Sequence, residues 1–341
     1  MRAPFRIDRM EAPSAGRATG LIRFGELADG CSPLHIPLII LNGADDGPMV
    51  YLHAGSHGQE TIYGMSAMRR LAQSELDPSR MRGAVVIVPG ANLLAHQAAA
   101  RIAPHYGIRE GVPYGGDLHK LWPGDPRGSM TQRLAATIWT HIVDKANYVI
   151  DFHTNSQPGI AFALMYGGET SHPSGAAVWR QSLEAARAFG LTVVRGAPNP
   201  LTLAGAAMEA GKPAMTIEVP APRILDRRYA DAAVRGVKNV LVHLGMLSGE
   251  ITPLAGVPVV DGEHEILPSI RSNRGGWVDY GVEPGRFLRA GTIVARIYDV
   301  FGNELEALPM EHDGYVSTFP PLSWAASQSV ASGEYVADCF S

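Results

Sequence analysis

Val50-Tyr51-Leu52-His53-Ala54-Gly55-Ser56-His57-Gly58-Gln59-Glu60 is an apolar run that ends in a small-residue loop. The loop presents a histidine and a glutamate just ahead of a helix-compatible segment. A strand that delivers polar groups at its carboxyl end, followed by a helix, is the unit of an α/β sheet, whose sites form at strand ends. A neutral imidazole and a carboxylate three positions apart can meet one divalent cation. Gly55 and Gly58 let backbone and ligands crowd a small ion without a Cβ in the way. The same pair also reads as a loop histidine followed by a glutamate that a helix N-terminus favours. Spacing alone leaves both readings open, and two ligands are only half a site.

Working outward, residues 35–41 and 49–53 read as strands around a turn-rich stretch at 42–48. Ile62, Met65, Met68 and Leu71 recur at helical spacing within 61–73. Residues 83–89 form a short, continuously apolar strand of the kind buried on both faces. A long turn-rich segment with little periodicity covers 92–128, and such segments are often functional. Helical spacing returns over 131–146, 175–189 (closed by Gly190), 201–210 and 229–247. Strands are expected at 148–153, 160–166, 191–195 and 214–219. Residues 1–35 carry no clear pattern.

This alternation predicts an α/β fold with a mostly parallel or mixed sheet flanked by helices. After residue 248 the helical periodicity stops, and short apolar runs lie between glycine turns. The expected organisation is a catalytic domain over 1–250 and a small all-β domain over 251–341, joined near 252–258. No long internal repeat or low-complexity tract interrupts either part.

The 341 residues suffice for a sizeable core, and 46% hydrophobic with 18% charged is ordinary for a soluble globular protein. A formal net charge of -4 gives no reason to expect nucleic acid or an acidic membrane surface as partner. Cys31 and Cys339 are the two cysteines; without a C-x-x-C pair a cysteine zinc site is not expected. They read as free thiols in a reducing compartment, with a disulfide between them left open. The N-terminus lacks an apolar signal region, and no apolar stretch has membrane-spanning length. The expectation is a cytoplasmic protein, compatible with a homo-oligomer.

The missing half of the metal site is sought at other strand ends. Asp151-Phe152-His153-Thr154 closes one strand. Its aspartate and histidine point to the same face, where Asp151 can orient an imidazole. The bland alternative is a strand-end polar pair. Glu218 lies near the end of another strand, where a salt-bridged carboxylate is the alternative reading. Two histidines and one glutamate are the minimum for a hydrolytic zinc site that keeps a position open for water.

Gly55-Ser56-His57-Gly58-Gln59-Glu60, Asp117-Leu118-His119-Lys120-Leu121-Trp122-Pro123-Gly124, Asp151-Phe152-His153 and Thr216-Ile217-Glu218 together resemble the succinylglutamate desuccinylase/aspartoacylase family, part of the zinc-carboxypeptidase-like superfamily. The resemblance covers roughly residues 35–245, with the motifs in the family's order. It implies a zinc-carboxypeptidase-like mixed sheet and an amidohydrolase of small N-acylated amino acids, holding one zinc ion per chain. By motif, His57, Glu60 and His153 match the zinc ligands and Glu218 the glutamate that activates water. Arg101 matches an arginine that polarises the scissile carbonyl.

The chemistry agrees. Zinc lowers the pKa of water toward about 7, a glutamate can pass its proton to the leaving amine, and a fixed positive charge stabilises the oxyanion. One departure stands out. The family commonly carries Asn-Arg, a grip for the substrate carboxylate, where this chain has His119-Lys120. Lys120 offers a point charge in place of a bidentate fork. Gln59 for the family's usual asparagine is a milder change.

The expected reaction is removal of an acyl group, acetyl first among the options, from a small N-acylated amino acid or amine, including diaminobutyrate-type compounds. The rival readings are a metallocarboxypeptidase and a non-catalytic binding protein on a hydrolase scaffold. Among the other histidines, His53 reads as structural, His96 and His105 as candidate pocket residues beside His119, and His172, His243, His264 and His312 as surface or packing residues. Arg223, Arg227 and Arg228 read as a solvated basic face. The C-terminal region resembles a biotinyl/lipoyl-like barrel, but residues 307–314 lack the acceptor lysine of a carrier. It is expected to be a structural, lid or oligomerisation element.

Overall fold

A computed structural model describes residues 2–103, 113–171, 175–220, 224–324 and 328–341. His105, His172 and Arg223 lie outside these described residues. The N-terminal segment that carries no sequence pattern forms β1 (Phe5–Ile7), β2 (Met10–Ala12) and the long edge strand β3 (Gly16–Glu26). The sheet continues with β4 (Pro33–Asn42), β5 (Asp45–Ala54), β6 (Arg82–Val88), β7 (Tyr148–Asn155), β8 (Phe162–Tyr166), β9 (Thr192–Gly196) and β10 (Ala214–Pro220). Helices at Met130–His141, Ala176–Phe189, Leu203–Glu209 and Arg227–His243 alternate with the later strands.

β5 pairs in parallel with both β6 and β7, and β7 in parallel with β10. β4 runs antiparallel to β6, and β8 antiparallel to β10. The sheet is therefore mixed. Its central strands are continuously apolar because both faces are covered; every residue of β6 after Arg82 is buried. Helix ends are capped by sequence. Ser129 and Gln132 form a reciprocal capping box ahead of Met130–His141, and Gly190 closes Ala176–Phe189 with a left-handed φ of 96°.

The segment after β5 is helical as its spacing predicts, but much of it is wound more widely than an α-helix. Over Gly64–Met68 and Leu71–Glu75 the bonds reach five residues back, as in Leu76 N–H to the Leu71 carbonyl at 3.1 Å. Close packing constrains its start. A Cβ on Gly64 would lie 2.2 Å from the Pro89 carbonyl oxygen.

Among the described residues, the regular elements of the C-terminal region are strands and the short helix Pro320–Trp324. It comprises β11 (Glu263–Arg271), β12 (Gly276–Tyr280), β13 (Phe287–Leu288), β14 (Ile293–Tyr298), β15 (Glu304–Pro309), β16 (Gly314–Thr318), β17 (Ser329–Val330) and β18 (Tyr335–Phe340). β12, β14, β15 and β17 make a separate four-stranded sheet. The others are joined to the main sheet. β11 pairs in parallel with β9 and antiparallel with β18, so the main sheet runs to twelve strands in the order β3-β4-β6-β5-β7-β10-β8-β9-β11-β18-β16-β13. Its own core, built on Val278, Val294, Ile297 and Val336, is distinct from the main one. Ile160, Phe162, Val194 and Phe340 form a small cluster at the seam. Cys31 is exposed, Cys339 is buried, and both are free thiols. No helix among the described residues is long and apolar enough to cross a membrane.

Candidate active site

Strand register places the polar groups. His53 on β5 lies beside Asp151 on β7, and His153 on β7 lies beside Glu218 on β10. Residues paired across strands share a face, as do residues two apart in one strand. Asp151, His153 and Glu218 therefore emerge together on one face, at the carboxyl ends of parallel strands.

The loop after β5 brings in the rest. Gly55 takes a φ of 79°, which glycine adopts without strain. Its carbonyl accepts the Asn92 N–H at 2.9 Å. A Cβ on Gly58 would sit 2.0 Å from the backbone carbon of Ala95. The loop is thus pressed against the helix Leu93–Gln97, and His57 and Glu60 turn inward. His57, Glu60 and His153 are each at most 4% exposed.

His57 Nδ1 lies 2.8 Å from one Glu60 carboxylate oxygen, and His153 Nδ1 lies 2.9 Å from the other. The ligand atoms of the three residues all fall within 4.8 Å of one another. The remaining nitrogens face carboxylates: His57 Nε2 is 3.0 Å from Asp117 and His153 Nε2 is 3.2 Å from Asp151. Imidazoles with one nitrogen turned inward and the other held by a carboxylate have the donor arrangement of a metal site with outer orienting groups. His119, Asp151 and His153 form a second convergent group. It would draw on the His153 Nε2 atom that already faces Asp151, so the first group is the better fit for an ion. Two imidazole nitrogens and a carboxylate suit zinc.

Electrostatics follow from burial and proximity. Burial opposes ionisation of Glu60, but His57 and His153 outweigh it and hold the carboxyl well below its usual range. For Asp117, burial is likewise overcome by His57 and Arg101. Glu218 behaves differently. Burial dominates there, only partly opposed by His153, and pushes its pKa up to about 7. A carboxyl poised near neutrality beside a His/Glu/His cluster is what proton transfer at neutral pH needs.

His57, Glu60, His153 and Glu218 line one cavity of about 310 Å³. Arg101 enters it, with Nε 3.3 Å from Asp117 and Nη1 3.7 Å from Glu60. His119 also lines it, its Nδ1 3.2 Å from His153 Nε2, and burial lowers its pKa to about 3, leaving a neutral imidazole. Lys120 is exposed and lies outside the cavity's lining, because successive residues of the tight turn Leu118–Lys120 point in different directions. His53 is fully buried with both nitrogens engaged, by the Tyr51 hydroxyl at 2.7 Å and Ser56 Oγ at 2.9 Å. His96 Nδ1 lies 3.2 Å from the Gly58 carbonyl. His243 and His312 are exposed, and His264 packs on Tyr315 and Phe340. Arg227 and Arg228 are exposed, Arg228 pairing with Asp226.

Asp117 has no part in the sequence expectation beyond its place in a motif. Its signal is the recurrence of Asp-x-His, as Asp117-Leu118-His119 and again as Asp151-Phe152-His153. Its imidazole partner, however, is His57, 60 residues away. Asp117→Asn should weaken zinc affinity roughly 10–100-fold, the usual effect of losing an orienting carboxylate. Competition against a chelating dye checks this.

The succinylglutamate desuccinylase/aspartoacylase catalytic domain matches residues 46–244, more than half of the chain. The protein belongs to this family. N-alpha-acetyl-L-2,4-diaminobutyric acid deacetylase of Halomonas elongata is 29% identical over 274 residues, covering 78% of this chain and 74% of that relative. Two solved structures share the fold. The succinylglutamate desuccinylase/aspartoacylase from Rhodobacter sphaeroides has a TM-score of 0.81 at 24% identity, covering 99% of both chains. The product-bound ectoine utilization protein EutE (DoeB) from Ruegeria pomeroyi has a TM-score of 0.80 at 22% identity, covering 99% of this chain and 98% of that one. These overlaps extend through β11–β18, beyond the segment that defines the family's catalytic domain.

Proposed function

We propose that the protein is a zinc-dependent amide hydrolase that removes an acyl group, acetyl in the first instance, from a small N-acylated amino acid. The observation that carries this reading is the pairing of Glu218 with His153 across β10 and β7, beside the His57/Glu60/His153 group. Family membership and the diaminobutyrate deacetylase relative support deacylation. The cavity lies at the small end of the roughly 300–1,000 Å³ usual for ligand pockets, which favours a small substrate over a peptide chain.

His57 Nδ1, His153 Nδ1 and a Glu60 oxygen would hold the zinc ion, with Asp117 and Asp151 fixing the two rings. The ion would supply a Lewis acid that acidifies water and polarises the scissile carbonyl. Glu218 takes the proton of the attacking water and delivers it to the amine nitrogen as the C–N bond breaks. Arg101 sets a permanent positive charge in the cavity for the oxygen that becomes negative. His119, neutral and pointed inward, offers hydrogen bonding where the family carries asparagine. Lys120, being exposed, can attract an anionic substrate toward the mouth but is a weaker candidate for gripping it inside. Residues 1–250 would form the hydrolase domain, and 251–341 a β domain of the biotinyl/lipoyl-like kind.

An assay for free amine against matched N-acetyl amino acids, N-succinyl amino acids and dipeptides tests the reading. Turnover of N-acetyl amino acids at least about tenfold above dipeptides is expected. A preference for dipeptides would establish the carboxypeptidase alternative, and inactivity on every compound would remove the hydrolase reading.

A further inference from the structure

The two carboxylates that orient the imidazoles of the His57/Glu60/His153 group are unequally held. Both oxygens of Asp117 have partners: one meets His57 Nε2 at 3.0 Å and the His119 N–H at 3.1 Å, the other Arg101 Nε at 3.3 Å. Asp151 is fully buried, and its Oδ2 lies 3.2 Å from His153 Nε2. Its Oδ1 is shut away from water without a hydrogen-bond partner among the described residues. A bare oxygen on a buried carboxylate is costly. A carboxylate gripped by one oxygen can also rotate, and the His153 ring depends on which way this one points.

The group that faces the bare oxygen is His53. Strand register sets it directly beside Asp151, on β5 against β7. Its Nε2 lies 2.9 Å from Ser56 Oγ and 4.0 Å from Asp151 Oδ1. The ring is fully buried and edge-on to Trp122, 5.5 Å between centroids. Burial keeps it neutral, with its pKa lowered to about 4. The Tyr51 hydroxyl, 2.7 Å from Nδ1, decides which nitrogen carries the proton. By donating to Nδ1 it leaves the N–H on Nε2. The other tautomer would deprive the Tyr51 proton of this acceptor and turn a lone pair toward a carboxylate oxygen. With the proton on Nε2, the positive edge of the ring dipole faces the bare oxygen, in surroundings where water does not screen it.

We infer that His53 is a positioning residue of the metal site: its Nε2–H, set by the Tyr51 hydroxyl, holds Asp151 so that the other carboxylate oxygen stays on His153. His53 does not line the cavity and acts only through Asp151. Strand β5 then serves the site twice. Its trailing loop delivers His57 and Glu60, and its own His53 steadies the ring of His153 on β7. This role rests on the hydrolase reading above for the identity of the ion, and assigns a function to a histidine that the sequence leaves as structural.

The test uses the full chain as wild type, His53→Gln, His53→Leu and Tyr51→Phe. Glutamine places an amide N–H near the position of Nε2, whereas leucine fills the space and donates nothing. Zinc affinity is measured by competition against a chelating dye, and kcat and KM by amine release from an Nα-acetyl amino acid. His53→Leu should weaken zinc binding about tenfold and lower kcat by about the same factor with KM within about twofold, while His53→Gln stays within about threefold of the wild type in zinc affinity and kcat. A packing role alone would reverse that order, since leucine suits a buried apolar setting better than glutamine does. Proton–nitrogen correlation spectra of the imidazole rings in the metal-free wild type should show His53 as the Nε2–H tautomer, and Tyr51→Phe should lose that preference. An Nδ1–H tautomer in the wild type, undiminished zinc affinity in His53→Leu, or an equal loss in the two His53 variants overturns the assignment. The expected order of zinc affinities without turnover of any acyl compound would leave His53 its role and remove the hydrolase reading. The wild-type spectrum keeps the assignment open to refutation even if a variant does not fold.

Discussion

Glu218→Gln should lower kcat about 1,000-fold and leave zinc binding intact. General acid–base groups typically contribute 100- to 10,000-fold, and this one serves both water and leaving amine. The amide is nearly isosteric, keeps the hydrogen-bonding capacity of the site and lacks only the ionisable proton. Stability should move the other way. Burial raises the Glu218 pKa to about 7, above the value of an unfolded carboxyl. A raised acidic pKa contributes stability that is complete below the unfolded pKa and is lost as pH rises through the folded one. In zinc-free protein, the variant should therefore gain on the wild type between about pH 4.5 and pH 7, by on the order of 3 kcal/mol. Thermal melts across that window check it. The wild-type rate should also fall as pH drops through about 7, or somewhat lower when a cation lies nearby. Unchanged turnover in Glu218→Gln would remove this residue as the base.

His57→Ala should abolish activity and weaken zinc binding by more than the roughly 10–100-fold expected for an orienting carboxylate. His57 is also the basic group between Glu60 and Asp117, 2.8 Å and 3.0 Å from them. Without it, two buried carboxylates lose a shared partner, and breaking such a buried pair costs roughly 3–5 kcal/mol. The variant should melt well below the wild type in the absence of metal, which differential scanning calorimetry would show. Normal stability with zinc affinity intact would place the ion elsewhere.

The sequence made the central strands legible because parallel strands buried on both faces must be continuously apolar; β5, β6, β7 and β10 appear where the apolar runs lie. β3 was not legible. It is an edge strand with one fully buried residue, Ile22, in eleven, so solvent and not packing set its composition. The helix after Glu60 was legible from its apolar spacing, but its wide winding was not. Tight packing of Gly64 against Pro89 is a tertiary constraint that local propensity does not carry. Of the candidate site residues, His57, Glu60, His153 and Glu218 could be singled out because each sits at the end of an apolar run. Asp117 could not, since it meets its imidazole across 60 residues.

Zinc titration of chelator-treated protein, with amine release from an Nα-acetyl amino acid followed at each step, tests the central claim most directly. Activity should be absent without metal, rise linearly and level off at about one zinc per chain, with His57→Ala flat throughout. Full turnover by the metal-free chain, or a rate indifferent to bound zinc, would contradict it.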